Sequence, residues 1–487
     1  MKAKQYLYVS IFLGLGLFQL ACEGKAKIEQ RPNVLMICID DLNDWVGCMG
    51  GHPNAITPNI DRLASQGVLF TNAHCQTSLC GPSRASIMSG RRPSTTGIYG
   101  QIYDKDLRAA APGFQDIQFL PEYFGANGYK TLGVGKIFHQ HAPEGVFQIS
   151  GGRVKGFGPK PENGKYFHWK KKGTSTDWGA FPDADEKMPD YKTAEWAKKT
   201  LQEEHADPFF LTVGFLRPHV PWYVPQQWFD KHPLESIQLP PYRADDHDDM
   251  PEIAIALDEV PPMPTTEWVI ENGQWKQAVQ GYLASTTFVD YYVGQVLEAL
   301  DNSPYKDNTI VVLWSDHGYR LGEKGTFAKH SLYQEGTNVP LIVRMPSGQK
   351  NVKSNKPVEL LDLYPTLLDL CDLAPNNQNE GKSIKKLVEG KEWDNAIPAI
   401  TTFGRNNHAI VTEQYRYIHY ENGAEELYDH AVDPNEWSNL ALDSNTEDIR
   451  KYLSQYLPQT NVAWSPMSFM KHNAYFRNQT VTETTNE

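Results

Sequence analysis

The stretch "NVLMICIDD" (Asn33–Asp41) joins a continuous apolar run to two aspartates. A run without polar alternation is typical of a strand buried on both faces, as in a parallel sheet that helices cover. Three later stretches have the same character: "KTLGVGK" (130–136), "PFFLTVGF" (208–215) and "TIVVLWSDHG" (309–318). Strands that alternate with helices predict an α/β sandwich with a mainly parallel central sheet. Between the last two strands, one face of a predicted helix carries apolar side chains, at Val289, Val293, Val296, Leu297 and Leu300.

Two further segments indicate a second helix and a different C-terminal architecture. "TPNIDRLASQG" (57–67) predicts a helix with Thr57 as N-cap, Pro58 in the first turn and Gly67 as the stop. "AIVTEQYRYIHYENGAEELYD" (409–429) alternates apolar and polar residues around an Asn-Gly turn, which is typical of an antiparallel hairpin. The 487 residues suffice for one large or two moderate domains. We predict a main, catalytic domain over 31–394 and a smaller C-terminal subdomain with an antiparallel sheet over 395–487.

The N-terminus has the pattern of an export signal over residues 1–22. Lys2 and Lys4 precede the apolar run "YLYVSIFLGLGLFQLAC" (6–22), which is short for a transmembrane helix and is followed by polar residues. Cys22 at the end of this run predicts a bacterial lipoprotein, although Gln19 stands where an aliphatic residue is usual. Plain secretion is the alternative. In both cases we expect an exported protein, either periplasmic or anchored to the outer membrane by a lipid.

The charge of the chain restricts its partners. A formal net charge of −13 argues against nonspecific nucleic-acid binding, so an anionic substrate would need cations gathered locally. One such set lies in the insertion Gly151–Gly173, where seven basic residues and one acid, Glu162, are interleaved with aromatic residues. Aromatic faces stack on sugar rings, and cations bind sulfate or uronate groups. The insertion is therefore either a saccharide-binding surface or a solvated loop without substrate contact.

Two of the predicted strands end in residues that could bind a metal. Asp40 and Asp41 follow the first strand, and Asp316 and His317 follow "IVVLW". The carboxyl ends of parallel strands form the site edge of open α/β sheets, and converging carboxylates repel one another unless a cation lies between them. Mainly oxygen ligands favour calcium or magnesium over zinc. The alternative is that Asp40 and Asp41 only cap a loop.

The cysteines raise a separate chemical question. Within "CQTSLCGPSRASIMSGR" (75–91), Cys80 precedes a rigid proline and Arg84, which could lower the pKa of a nucleophilic thiol. A free reactive thiol would be a liability in an oxidising compartment, however, and an ordinary buried cysteine is the alternative. Cys38 and Cys371 lie among apolar residues and are expected to be packing residues. Cys75 is expected to be a packing residue or an occasional disulfide partner.

"CGPSRASIMSGR" (80–91) resembles the signature of the type I sulfatases, within the alkaline phosphatase superfamily. In that family the cysteine of C-x-P-S-R is oxidised to formylglycine (3-oxoalanine), whose aldehyde hydrates to a geminal diol. Further stretches resemble the family in its order, so the resemblance spans nearly the whole chain after the signal and implies an alkaline-phosphatase-like sandwich. They are "RPNVLMICIDDLND" (31–44), "TPNIDRLASQGVLFTNAHCQ" (57–76), "GYKTLGVGKIFHQ" (128–140), "RPHVPW" (217–222), "SDHGYRLGEKGTFAK" (315–329), "NVPLIV" (338–343) and "AEELYDHAVDPNEWSNLA" (424–441).

The chain most resembles the iduronate-2-sulfatase-like branch of this family. His317 follows Asp316 where many sulfatases have Asn, and the "GKIFH" and "RPHVP" forms fit that branch. Arg217 departs from the common Lys, and its guanidinium could grip a carboxylate or sulfate with two hydrogen bonds. The resemblance implies a Ca²⁺ ion held by Asp40, Asp41, Asp316, His317 and the modified Cys80.

The resemblance also implies a role for each remaining site residue. A hydroxyl of the diol attacks sulfur and expels the sugar alcohol. Arg84 and Lys136 stabilise that nucleophile, whereas His219 and Lys329 bind the sulfate. His219 protonates the leaving oxygen, and His139 removes a proton from the second hydroxyl so that sulfate leaves.

Taken singly, four of these residues have structural alternatives. Lys136 and His139 could form a loop ion pair, His219 could pack on Trp222, and Lys329 could lie on a solvated helix face.

Three functions remain open at the level of sequence. The first is a sulfatase acting on a sulfated polysaccharide or its oligosaccharides, which by resemblance could contain uronate, as ulvan and glycosaminoglycans do. The second is a phosphonate or phosphodiester hydrolase of the same superfamily. The third is a surface lipoprotein that only binds glycan. The sulfatase function would require a formylglycine-generating maturation enzyme as a partner.

Overall fold

The strand predicted from "NVLMICIDD" lies inside the central sheet. In the computed structural model, which describes residues 31–167, 176–393 and 397–477, strand β1 runs from Asn33 to Asp40 and pairs in parallel on both sides. Its side chains alternate between two hydrophobic cores, one on each face of the sheet. Burying each of these side chains contributes on the order of 1.5–3 kcal/mol. The continuous apolar run is thus explained by cores on both faces.

The predicted central sheet is confirmed. Among the described residues it has eight strands, in the order β11-β2-β10-β9-β1-β7-β4-β5, and only β10 runs against the others. The strands in chain order are β1 (Asn33–Asp40), β2 (Val68–Phe70), β3 (Ala73–His74), β4 (Lys130–Gly135), β5 (Ile149–Gly152), β6 (Trp178–Ala180), β7 (Phe209–Pro218), β8 (Trp222–Val224), β9 (Thr309–Ser315), β10 (Leu341–Arg344), β11 (Val352–Ser354), β12 (Val358–Glu359), β13 (Ala399–Thr402), β14 (His408–Val411), β15 (Tyr415–His419) and β16 (Glu425–Asp429).

Helices cover both faces of this sheet. The core on one face includes side chains of α1, α5 and α9, and the core on the other includes side chains of α2, α4 and α11. The predicted apolar face at 289–300 lies on α9. The helices are α1 (Pro58–Ser65), α2 (Cys80–Ser89), α3 (Pro93–Thr96), α4 (Leu120–Ala126), α5 (Pro189–Gln202), α6 (Gln226–Phe229), α7 (Glu252–Asp258), α8 (Thr266–Glu271), α9 (Trp275–Asp301), α10 (Gln334–Thr337), α11 (Leu363–Leu370), α12 (Lys385–Val388) and α13 (Glu447–Ser454).

A second, antiparallel sheet follows in the C-terminal part of the chain. Strands β13, β14, β15 and β16 pair in sequence order. The predicted hairpin is confirmed: β15 and β16 flank the Asn-Gly turn, where Gly423 has a φ of 84° that favours glycine. The described residues from Arg31 onwards belong to one compact unit, so the domain boundary at 394/395 stays a prediction.

Helix α1 begins as predicted, with Thr57 at the N-cap position and Pro58 in the first turn, but its N–H groups are capped by a different side chain. The Thr57 side chain does not cap the helix; its Oγ1 accepts a hydrogen bond from the Gly47 backbone and donates one to Asp61. The Asp290 carboxylate of α9 instead accepts from the backbone N–H groups of Asn59 and Ile60, with Oδ1 at 3.1 and 2.8 Å. A negative charge from a distant helix thus satisfies the free N–H groups.

The N-terminal predictions concern residues outside the described part of the chain. The signal over 1–22 and lipidation of Cys22 therefore stay predictions. Within the described residues, no helix has both the length and the apolar character needed to span a membrane. Cys38, Cys75 and Cys371 are free and buried, as expected for packing residues.

Candidate active site

Two neighbouring parallel strands end in the residues predicted to bind a metal. Strands β1 and β9 pair with Ile39 opposite Ser315, which brings the residues that follow each strand to the same sheet edge. Asp316 Oδ1 accepts hydrogen bonds from the backbone N–H groups of Asp41, at 3.2 Å, and His317, at 3.1 Å. Asp40, Asp41, Asp316 and His317 are all fully buried. Their predicted convergence is therefore observed.

The backbone at Asp41 lets two consecutive carboxylates share one site. In a regular strand, Asp40 and Asp41 would point to opposite faces of the sheet. Asp41 instead has a φ of 65°, a left-handed conformation that costs a non-glycine residue on the order of 1–3 kcal/mol. The Tyr282 hydroxyl donates to the Asp41 carbonyl at 2.9 Å and helps to hold this strained backbone. Such strain is typical of functional sites.

Cys80 is the first residue of helix α2 and lies at the centre of this site. The Ser83 hydroxyl donates to the Asp316 carbonyl at 2.6 Å, which fixes the helix to the end of β9. Cys80 Sγ lies 3.0 Å from Lys329 Nζ and 3.3 Å from His317 Nε2. Burial raises the pKa of the Cys80 thiol, and Asp40 raises it further. An unmodified Cys80 would therefore be a neutral thiol and a poor nucleophile at pH 7.

Arg84 connects the helix to two strand ends. Its Nε donates to Asp316 Oδ2 at 2.6 Å, and Nη2 lies 3.6 Å from Asp40 Oδ1. Nη1 donates to the backbone carbonyls of Lys136 and Ile137. Burial alone would lower the pKa of this guanidinium, but Asp316 and the other nearby anionic groups more than offset the effect, so it stays charged. Arg84 therefore neutralises carboxylates and also holds the backbone after β4.

Two buried lysines complete the charge balance. Lys136 Nζ forms an ion pair with Asp40, and Lys329 Nζ donates to Asp41 Oδ1 at 2.7 Å. Lys136 follows β4 and lies against Gly214 of β7. A Cβ at position 214 would collide with the Lys136 backbone, so glycine is required at that position. Lys329 is only 4% exposed, so it does not lie on a solvated helix face.

The two ion pairs leave the neighbouring aspartates in different states. For Asp40, burial raises the pKa, but Lys136, His219 and Arg84 outweigh burial and bring it well below its usual value. For Asp41, burial raises the pKa to about 7 in spite of Lys329. Without a bound cation, Asp41 therefore has too little positive charge around it to stay fully ionised at neutral pH.

The three site histidines present one ring nitrogen each to the site. His317 Nδ1 contacts the Gly318 carbonyl at 3.0 Å, so its Nε2 faces Cys80 as an acceptor. His219 Nδ1 lies 2.6 Å from the Val220 carbonyl, and its Nε2 is 4.0 Å from Asp41 Oδ2. His139 Nδ1 lies 2.7 Å from the Ile102 carbonyl. Since carbonyls accept only, each Nδ1 carries the proton in the neutral ring.

A divalent metal fits this set of side chains. Asp40 Oδ1 and Asp41 Oδ2 are buried and have no hydrogen-bond partner, which is costly unless a cation binds them. Ligand atoms of Asp40, Cys80, Asp316 and His317 lie within 4.8 Å of one another. A second group within the same limit replaces Asp316 and His317 with Asp41 and His219. Carboxylate oxygens with one imidazole suit a hard cation such as Ca²⁺ or Mg²⁺.

Cys80 forms part of the floor of a cavity of about 640 Å³. Lys136, His139, His219 and Lys329 also line it, so all catalytic residues predicted from the sequence except the fully buried Arg84 reach this space. Some lining residues were missed because their segments carry no motif or periodicity. They come from the loop after α3 (Gln101, Tyr103), from the position after Lys329 (His330) and from the C-terminal tail (Phe469, Met470, Lys471, His472).

The basic insertion forms one wall of this cavity. Phe157, Lys160, Glu162 and Lys165 line it, and the Phe157 ring stacks on His219 at 4.5 Å between centroids. His219 therefore packs on Phe157, not on Trp222. This placement favours the substrate-binding interpretation of the described part of the insertion. Trp169 and Lys170–Lys172 lie outside the described residues.

The interpretation of Arg217 as an anion grip is wrong. Its guanidinium donates to the backbone carbonyls of Phe157, His219 and Tyr223, at 2.7, 3.0 and 3.1 Å. Burial lowers its pKa to about 10. Because its guanidinium binds carbonyls of these two backbone segments, Arg217 joins the insertion to the loop that carries His219.

Known proteins are similar to this chain in sequence and in fold. The Sulfatase family model matches residues 32–373, and a model for the C-terminal part of N-sulphoglucosamine sulphohydrolase matches 322–463. A sulfatase of Formosa agariphila is 50% identical over 485 residues, which cover 96% of this chain and 95% of the relative. Human iduronate 2-sulfatase is 34% identical over 79% of this chain and 71% of its own length.

A more distant relative and a solved structure agree with this. An ulvan-active sulfatase of Formosa agariphila is 28% identical over 90% of this chain and 84% of its own length. A protein solved in complex with its substrate D-glucosamine-2-N,6-O-disulfate superimposes with a TM-score of 0.69 at 23% identity, covering 88% of this chain and 97% of the other. The alkaline-phosphatase-like fold is thereby shared. The chain belongs to the sulfatase family, as a type I sulfatase of the alkaline phosphatase superfamily, and is a sulfuric ester hydrolase.

Proposed function

We propose that the protein hydrolyses sulfate monoesters on a sulfated carbohydrate, using a formylglycine formed from Cys80 and a bound Ca²⁺ ion. The observation that carries this proposal is the set of buried charged side chains around Cys80, at the floor of a cavity that is also lined by Lys160, Lys165 and Lys471. Cys80 Sγ then marks the position that a hydrate oxygen of formylglycine would take.

The charges of the site support an anionic substrate. Three carboxylates (Asp40, Asp41 and Asp316) face three cations (Arg84, Lys136 and Lys329), so the side chains alone are balanced. A divalent metal would add two positive charges. A monoanionic sulfate ester and one deprotonated hydroxyl would together restore neutrality in this buried space.

Formylglycine hydrate would provide the nucleophilic hydroxyl, and Ca²⁺ would lower the pKa of that hydroxyl and polarise the sulfate. Asp40, Asp41, Asp316 and His317 would hold the ion. Lys329 Nζ, 3.0 Å from Cys80 Sγ, is placed to bind a sulfate oxygen together with His219. Arg84 Nη2 has no hydrogen-bond partner and can donate to the hydroxyl beside Lys136.

Two histidines can move the protons. Burial lowers the pKa of His139 to about 4, and Lys136 adds to this shift, so His139 Nε2 is an unprotonated acceptor at neutral pH. Burial and Lys329 hold the pKa of His219 well below 6.5. His219 can therefore protonate the leaving oxygen only if the negative charge of the bound sulfate first raises its pKa, which binding beside Nε2 would do.

The cavity walls support a saccharide as the carrier of the sulfate. Phe157 lines the cavity beside His219, and Lys160 and Lys165 add cations to its lining. Relatives named for iduronate and for ulvan lie among the matches, which supports a uronate-containing oligosaccharide or polysaccharide of the iduronate-2-sulfatase-like branch.

A direct test uses enzyme coexpressed with a formylglycine-generating enzyme. Sulfate release from 4-methylumbelliferyl sulfate and from sulfated oligosaccharides is compared with hydrolysis of a phosphonate monoester and a phosphodiester by the same preparation. We expect sulfate release to dominate and Cys80→Ser to lack it. Faster phosphonate hydrolysis would favour the alternative function, and no hydrolysis at all would favour a protein that only binds glycan.

We also propose that the chain is exported and anchored through lipidated Cys22. The charged start, the apolar run and the cysteine after it support this. Fractionation of cells that carry the wild type or Cys22→Ala tests the proposal: the wild type should partition with membranes and the variant should not. Equal partition of both proteins would leave plain secretion as the explanation.

A further inference from the structure

The C-terminal tail returns to the catalytic cavity after the antiparallel sheet. The backbone of Phe469 pairs with that of Gln101, with N···O distances of 2.7 and 2.9 Å, and the Gly100 N–H donates to the Ser468 hydroxyl at 2.8 Å. The Gln101 side chain in turn accepts from the Gly81 N–H at 2.8 Å, next to Cys80. The tail is therefore held against the residues that position the nucleophile.

The tail presents one cation to the cavity. Lys471 Nζ lies 4.8 Å from the centre of the Phe469 ring, and this ring lies 5.4 Å from that of Tyr103. Within the described residues, Lys471 has no carboxylate in ion-pair distance. Burial lowers the pKa of His472, and Lys329 and Lys471 lower it further. His472 is thus neutral and lies within the electrostatic range of both lysines.

The proposed chemistry does not use Lys471. Lys136 and Lys329 are paired with the aspartates at the cavity floor, whereas Lys471 is exposed above an aromatic ring on the wall formed by the tail. Among the described lining residues, the one acid is Glu162, which belongs to the insertion. In a chain with a net charge of −13, an unpaired cation inside the substrate cavity indicates a negatively charged ligand group.

We propose that Lys471, supported by Phe469 and Tyr103, binds a second anionic group of the saccharide, separate from the sulfate that is cleaved. This inference rests on the proposed function and adds the residue that would contact the second negative charge of such a saccharide. The second anion is either a uronate carboxylate or another sulfate, since both offer oxygen acceptors to an ammonium group. The tail is then a determinant of specificity.

Calorimetric binding in the presence of Ca²⁺ tests this inference without turnover. The proteins are Cys80→Ser, Cys80→Ser/Lys471→Gln and the control Cys80→Ser/Lys451→Gln, in which an exposed lysine outside the cavity is changed. The ligands are a monosulfated hexuronate disaccharide, the same disaccharide with its carboxyl group reduced, and a disulfated disaccharide without carboxylate. Losing a charge-assisted contact should weaken binding about tenfold.

We expect Lys471→Gln to raise the Kd about tenfold for at least one of the two doubly charged ligands. The ligand affected identifies carboxylate or sulfate as the second anion. Unchanged Kd values, an equal effect of Lys451→Gln, or an equal loss for the carboxyl-reduced ligand would overturn the inference. Failure of the proposed function would appear separately, as absence of sulfate release by the matured wild type.

Discussion

Arg84 should contribute strongly to stability as well as to catalysis. Replacing Arg84 with Met leaves the buried carboxylates of Asp316 and Asp40 without a guanidinium. Breaking a buried ion pair in this way costs about 3–5 kcal/mol. Arg84→Lys keeps a charge but gives up the fork that also binds the carbonyls of Lys136 and Ile137. We expect a smaller loss for that variant, about 1–3 kcal/mol.

These energies convert into modest shifts of the melting temperature. The unfolding entropy of about 2.1 cal/mol/K per residue gives roughly 1 kcal/mol/K for a compact unit from Arg31 to Glu487. Arg84→Met should therefore melt about 3–5 °C below the wild type, measured with EDTA present so that a metal cannot compensate. For Arg84→Lys in matured enzyme, kcat/KM should fall by at least about 100-fold.

A buried arginine outside the site provides the matched control. Arg416 is fully buried, pairs with Glu436 at 2.5 Å and donates to the Leu332 carbonyl at 2.8 Å. Arg416→Met should lower the melting temperature by a similar amount while kcat/KM per folded molecule stays unchanged. A shift below about 1 °C for Arg84→Met, beside a shift of several degrees for Arg416→Met, would refute the reasoning.

Three further predictions follow from the same contacts. Cys80→Ser should abolish turnover with little change in melting temperature, because the substitution is small and the neighbouring ion pairs remain; sulfate release at the wild-type rate would contradict the mechanism. Chelation by EGTA should stop turnover, and Ca²⁺ should restore it and raise the melting temperature, because Asp40 and Asp41 each bury an unpartnered oxygen; equal activity after exhaustive chelation would exclude a required metal. Burial lowers the pKa of His408 to about 3, so the stabilising contribution of the neutral imidazole is complete above about pH 6.5 and is lost as the pH falls towards 3. The difference in melting temperature between wild type and His408→Gln should therefore shrink over that range. A constant difference would contradict the lowered pKa.

The sequence predicted the central strands because their residues face two cores. In β1, residues 34, 36 and 38 enter one core and residues 35, 37 and 39 enter the other, so a continuous apolar run is required. The convergence of Asp40 and Asp316 followed from the rule that parallel strands share a site edge. The sequence was therefore sufficient to predict that Asp40 and Asp316 lie close together at the same edge of the sheet.

Other features depend on contacts that no local pattern encodes. The cap of α1 comes from Asp290, 230 positions from Ile60, so the local rule selected Thr57 instead. The sequence shows the charge of Arg217 but not the backbone carbonyls that it binds, and this is why the sequence suggested an anion-binding residue. The tail at Phe469 reaches the cavity through pairing with Gln101, which involves backbone atoms and leaves no side-chain signature.

The conversion of Cys80 is the central claim, and one measurement tests it directly. Preparations with different degrees of maturation are digested with trypsin, and the mass of the peptide containing residue 80 is measured by mass spectrometry. Conversion of the cysteine to the aldehyde removes about 18 Da. Sulfate release per molecule is then plotted against the converted fraction. We predict a straight line through the origin, because an unmodified Cys80 is a neutral buried thiol. Substantial sulfate release by protein in which residue 80 is entirely cysteine would contradict the account.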